Sequence, residues 1–156
     1  IRDIGIDWCS VSIASPTKGS LLYQECLENG YIEEKEDFLE SGYQVDENVI
    51  NTPEYSASYI SQAAYDVNLE VNFVHNYRMS VGDYRNAALY FQYLVRTYPD
   101  HAFAHLYLAK CLGHRGRQAE ADHHIDNARR LKSAVPRWAG SFQRFSLLDE
   151  LEMIAA

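Results

Sequence analysis

With 156 residues, 47% of them apolar, the chain has material for one packed core, and the lack of any apolar run of eighteen or more argues against a membrane-spanning helix. The formal charge of -8, from 14 basic and 22 acidic residues, offers nucleic-acid phosphates no basic stripe. Three scattered cysteines, Cys9, Cys26 and Cys111, have neither metal-ligand spacing nor the even count of a disulfide framework, so a reducing, cytoplasmic home is expected.

In chain order, residues 1–7 read as the tail of a helix with a tight turn at Gly5. There is no initiator Met and no signal-peptide pattern, so the chain is expected to be cut from something longer. Residues 8–14 alternate and are β-branched in the right places, with Trp8, Val11 and Ile13 as apolar members, which predicts a strand. A breaker-rich loop follows, and Ser20 can cap a helix running to about Asn29, with Leu21, Leu22 and Cys26 on one face and Gly30 as its stop. This is half of a βα unit, and no second strand is evident downstream. A lone strand leaves backbone donors and acceptors unpaired, so it is expected to join a sheet further upstream or to pair with its own copy in a homodimer.

Residues 8–32 resemble the closing βα unit of a radical S-adenosylmethionine enzyme barrel, through Pro16, Gly19, Ser20, Leu22, Tyr23, Cys26, Gly30 and Tyr31. In that family a hydrophobic strand ends in a Pro-x-x-Gly-Thr/Ser loop, followed by a Leu-Tyr helix finishing in Gly-Tyr. The resemblance implies a parent holding a 4Fe-4S cluster and S-adenosylmethionine, with cobalamin in one subgroup. It would bring Ile13, Ala14 and Ser15 near the cofactor in a complete barrel. The Cys-x3-Cys-x2-Cys loop that holds such a cluster is missing from this chain, which is therefore expected to be non-catalytic and to carry no cofactor itself.

Residues 33–52 form an acidic connector. Between Glu25 and Glu54 ten acids face the single base Lys35, yet Phe38, Leu39, Tyr43, Val45, Val49 and Ile50 suit an extended wrap. Thr52, Pro53 and Glu54 then read as the cap and first turn of a helix reaching about Val81, with a break near Asp66 to Asn68.

From Asn68 onward the sequence repeats at a period of 34: Gly82 answers Gly116, Ala87 answers Ala121, Phe91 answers Ile125 and Leu94 answers Ala128. A glycine between two apolar-periodic halves at this period is the mark of a helical hairpin repeat, and the pattern resembles two tetratricopeptide (TPR) repeats. His75 and Arg78 depart from it, standing where small and aromatic residues are usual. Past Val135 and Pro136, residues 141–154 read as one amphipathic capping helix.

The fold expected is thus mainly α: TPR-like helical hairpin repeats (an α-α superhelix) over residues 53–134, a capping helix over 135–156, and a βα unit over 1–32 left from a partial TIM-type barrel. The resemblance implies a concave groove for a protein or peptide partner at Leu69, Asn72, Asn76, Met79, Phe103, Leu106 and Lys110, and the two asparagines could hold a peptide backbone. Ser80, Gly113 and His114 complete that face. His101 with His105, and His123 with His124, lack a third ligand at fixed spacing and read as surface histidines. Neither a nucleophile elbow nor a phosphate-binding glycine loop occurs. Two functions follow from these readings: a non-catalytic C-terminal region of a radical S-adenosylmethionine protein whose helices bind a partner or dock on the barrel, or a free-standing adaptor. Neither involves nucleic acid or membrane.

Overall fold

The structure, a computed structural model, describes residues 5–33 and 49–153. The helix tail expected over residues 1–7 and the acidic connector fall largely outside the described residues. The chain forms two compact units, Ser10–Asn68 in one and Ile1–Cys9 with Leu69–Ala156 in the other. Both are helical or irregular, and no strand forms among the described residues.

The first unit contains α1 (Leu21–Glu28) and α2 (Ala57–Leu69). Ser20 caps α1 by accepting the Tyr23 amide at 3.2 Å, and the helix ends where Gly30 takes a φ of +67°. The buried face carries Tyr23 and Cys26, packed with Ile32, whereas Leu21 is 79% exposed and does not share the face expected for it. The start predicted at Pro53 is also displaced. Thr52 accepts the Tyr55 amide on its hydroxyl and closes a turn, and Ser56 begins α2 by accepting the Tyr59 amide. Each hydroxyl competes for nearby amides, and the one at Ser56 meets the helix.

No strand forms over residues 8–14, and among the described residues no second strand supplies donors and acceptors. A side chain does so instead: the Val11 amide donates to Asn68 Oδ1 at 3.2 Å, and Asn68 Nδ2 donates to the Val11 carbonyl at 3.0 Å.

The second unit holds a π-helical turn (Glu70–Val74), α3 (Tyr77–Ser80), α4 (Tyr84–Thr97), α5 (Ala102–His114), α6 (Gln118–Ala134), α7 (Pro136–Arg144) and α8 (Leu148–Met153). The helix expected to reach Val81 is interrupted at His75 and Asn76, several residues beyond the break foreseen. The interruption lies where the sequence departs from its repeat. Asn76 then caps α3, accepting the Met79 amide at 3.2 Å.

Three of the helical turns in this unit share one geometry, which the end of α1 at Gly30 and Tyr31 also has. The residue at positive φ donates its amide three residues back, and its successor donates five back: Gly82 to Met79 with Asp83 to Arg78, Gly116 to Gly113 with Arg117 to Leu112, Ser146 to Gln143 with Leu147 to Phe142. This closure satisfies the last carbonyls of a helix and requires a left-handed residue, which is glycine at 82 and 116. The third turn divides the predicted single capping helix into α7 and α8, and Pro136 begins α7 at a position where its missing amide costs nothing.

The apolar equivalences across the period are core positions: Ala87, Ala121, Phe91, Ile125, Leu94 and Ala128 are buried. Small residues let helices approach and large ones fill the gaps. Residues 102–109 of α5 are buried without a break, so its first two turns are enclosed on all sides. Phe73, from the π-helical turn, joins that core through ring contacts of 5.5 Å to Phe91, 5.9 Å to Phe103 and 5.7 Å to Tyr107.

Candidate functional site

In the second unit, residues 7–9 are held by the side chains of residues 72–78. Asn72 accepts the Cys9 amide on Oδ1 at 2.8 Å and returns a hydrogen bond from Nδ2 to the Cys9 carbonyl at 2.7 Å. One primary amide thereby satisfies both backbone groups of one residue, as a neighbouring strand would. Asn76 adds a longer contact from Nδ2 to the Asp7 carbonyl at 3.5 Å. Asparagines four apart meet every second residue of the extended segment, Asn72 at Cys9 and Asn76 at Asp7. In the first unit Asn68 treats Val11 in the same way.

The clamp is held ready by its own bonds. Asn72 is 1% exposed and Asn76 is 3% exposed. Asn76 also donates to the Asn72 carbonyl at 3.0 Å while its oxygen caps α3, so its amide has a fixed orientation. Beside it, Arg78 bridges two carboxylates: Nη2 lies 2.5 Å from Asp7 Oδ2, and Nη1 lies 2.7 Å from Asp83 Oδ2. The two hydrogen bonds, to Asp7 first, raise the guanidinium above its ordinary pKa. The Asp83 carboxyl is lowered by hydrogen bonds from Asn86 and then Arg78. Trp8 rests with its ring centroid 4.5 Å from Tyr90 and edge-on to Phe73 at 6.1 Å.

Of the groove residues expected from sequence, Asn72 and Asn76 form this clamp. Asn76, Met79 and Lys110 line an adjoining cavity of about 520 Å³. Lys110 there pairs with Glu150 and lies 4.5 Å above the Tyr107 ring. Leu69, Phe103 and Leu106 are instead core residues at 2%, 0% and 0% exposure, because α5 is covered on the side assigned to the groove. Phe103 packs there against Phe142 of α7 at 4.8 Å. In the first unit Ile13 and Ala14 line an apolar cavity of about 480 Å³ with Ile60, Ala63 and Val67, while Ser15 is exposed and does not line it.

His123 is exposed as expected, but His101, His105 and His124 are not the surface groups expected. His105, 5% exposed, accepts or donates through Nδ1 to His124 Nδ1 at 2.9 Å, and its Nε2 meets the Pro99 carbonyl at 3.0 Å. Since a carbonyl only accepts, Nε2 carries the proton, and His124 is the donor to His105. His101 accepts the Ala104 amide on Nδ1 at 3.1 Å and caps α5; burial lowers its pKa to about 4. Burial also raises Cys111 to about 12 and Cys26 above its usual value, which suits packing rather than nucleophilic chemistry. Among the described residues no group of three or more histidines, cysteines or carboxylates could hold a metal ion, and no helix is long and apolar enough to cross a membrane.

Sequence reasoning gave the asparagines a backbone-holding role but did not identify their occupant. The signal was the spacing of Asn68, Asn72 and Asn76, and the unexpected Arg78 where an aromatic residue is usual. No protein-family model matches the chain, and neither curated proteins nor solved structures give a match.

Proposed function

We propose that this chain is a non-catalytic interaction module built of TPR-like helical hairpins, and that its ligand is an extended segment of a protein held by its backbone. The observation that carries this reading is the double exchange between Asn72 and Cys9. A primary amide that takes both the amide and the carbonyl of one residue recognises peptide backbone as such, and the neighbouring Arg78 and aromatic rings add preference at the flanking positions. The repeated left-handed turns at Gly82 and Gly116 support the hairpin-repeat assignment. A cytoplasmic setting belongs to the same reading, in keeping with three cysteines that form no disulfide.

The test is a library of random twelve-residue peptides panned against the whole chain. Binders that lose at least tenfold in affinity on Asn72→Ala support the reading. Binders indifferent to both Asn72→Ala and Asn76→Ala refute it.

A second reading places the module at the C-terminal end of a radical S-adenosylmethionine protein. It is favoured by the loop and helix over residues 16–31, where Ser20 caps α1 and Gly30 ends it. On that reading the iron-sulfur cluster and S-adenosylmethionine belong to the parent, and the hairpins bind its partner or dock on its barrel. The mass of the native gene product distinguishes the two, since only the second requires a barrel upstream.

A further inference from the structure

Residues 7–9 are held in an unusual manner for a segment of a folded core. Asp7 and Trp8 are exposed and Cys9 is only partly buried, yet the backbone polar atoms of Cys9 are taken by a buried side-chain amide. In a core segment the side chains go inside. Here the backbone is bound by a side-chain amide, Asp7 stays at the surface and the Trp8 ring lies only partly covered on Tyr90 and Phe73, which is how a groove holds a peptide. Two of the residues around the segment, moreover, are placed by their own bonds. Asn76 is fixed by α3 and by the Asn72 carbonyl, and Arg78 by Asp83.

Resting on the peptide-module reading above, we infer that residues 7–9 are a built-in occupant of the clamp, and that the partner is an extended segment of another protein with a carboxylate immediately before an aromatic residue, which binds by displacing them. The chemistry is set position by position. Arg78 lies 2.5 Å from the Asp7 carboxylate and recognises an acid there. Tyr90 and Phe73 receive the Trp8 ring and recognise an aromatic side chain next. At the third position Asn72 takes both backbone groups, which requires an amide proton and so excludes proline. Because the occupant is tethered, it competes at an effective concentration of roughly millimolar order, and a partner succeeds by greater affinity or by whatever loosens residues 7–9.

The experiment uses the full chain in reducing buffer. The probe is a fluorescein-labelled synthetic peptide of residues 5–13, with two controls in which its acid is changed to the amide or its tryptophan to alanine. Cys9→Pro removes the amide that Asn72 accepts, and Trp8→Ala removes the ring; both lesions lie on the occupant and leave the clamp intact. Either variant is expected to bind the probe at least tenfold more tightly than the unaltered chain. Each control peptide should bind it at least fivefold more weakly than the probe, and Asn72→Ala in the Cys9→Pro background should abolish binding. Hydrogen exchange on the unaltered chain needs no variant to fold: excess unlabelled peptide should accelerate exchange at the Cys9 amide.

Variants that bind no better than the unaltered chain, with Cys9 exchange unmoved, would overturn the inference. Tight binding of library peptides lacking the acid-aromatic pair would overturn the stated specificity while leaving the module reading in place. If no peptide of any sequence bound any form, both would fall. A concentration-dependent dimer dissociated by the probe would overturn the tethered arrangement and make a second copy the occupant.

Discussion

Asn72→Ala isolates the clamp. The substitution removes the hydrogen bonds of 2.8 and 2.7 Å that Asn72 makes with the two backbone groups of Cys9. Each contributes about 1 kcal/mol net, and a partly buried backbone group that loses its partner adds a fraction of its desolvation cost, for a total of about 2 to 3 kcal/mol. At 1.4 kcal/mol per factor of ten, local opening of residues 7–9 becomes about 30- to 140-fold more frequent. Native-state hydrogen exchange on the full chain reads this directly at the Cys9 amide, with the Leu108 amide in the buried part of α5 as the reference for global unfolding. Cys9 should accelerate by that factor and Leu108 far less. An acceleration below about fivefold at Cys9 would show that the two hydrogen bonds do not hold the segment. Equal acceleration at both sites would show that Asn72 supports the whole helical unit.

Three further outcomes are expected. His101 has its pKa lowered by burial to about 4, so the folded state prefers the neutral ring. The stabilisation is therefore present above the unfolded value near 6.5 and is lost as pH falls toward 4, by about 3 kcal/mol between pH 7 and pH 4. Urea unfolding should show this loss, and His101→Asn, which keeps a cap acceptor but does not titrate, should reduce the slope. At the helical turns, Ser146→Gly should stabilise by about 1 kcal/mol, because Ser146 holds a φ of 55° that glycine adopts without strain. Gly82→Ala should destabilise by about 1 to 2 kcal/mol for the same backbone reason, since no atom lies within 4 Å of an added Cβ; thermal melts of both variants check the pair. Phe91→Ala empties a fully buried site against Phe73 and Tyr107 and should cost about 3 to 5 kcal/mol by urea unfolding.

The chain's periodicity alone determined many of the residues by which the helices face inward. Ala87, Phe91, Ala121, Ile125 and Ala128 are core positions because a helix repeats its faces every few residues, and the two glycines mark the turns because few other residues take that backbone. Such signals are local, so they survive reading without coordinates. The strand expected over residues 8–14 failed for the opposite reason. Local alternation expresses a preference for extended chain, but whether a strand forms depends on what pairs with it. The burial of Phe103 and Leu106 was likewise decided by distant neighbours. The clamp shows the division within one site: the spacing of its asparagines is written in the chain, whereas Cys9 and Asn72, 63 residues apart, meet only in the fold. The tertiary structure alone could supply the occupant, because an extended segment with unpaired backbone groups has many possible partners and the folded chain selects one.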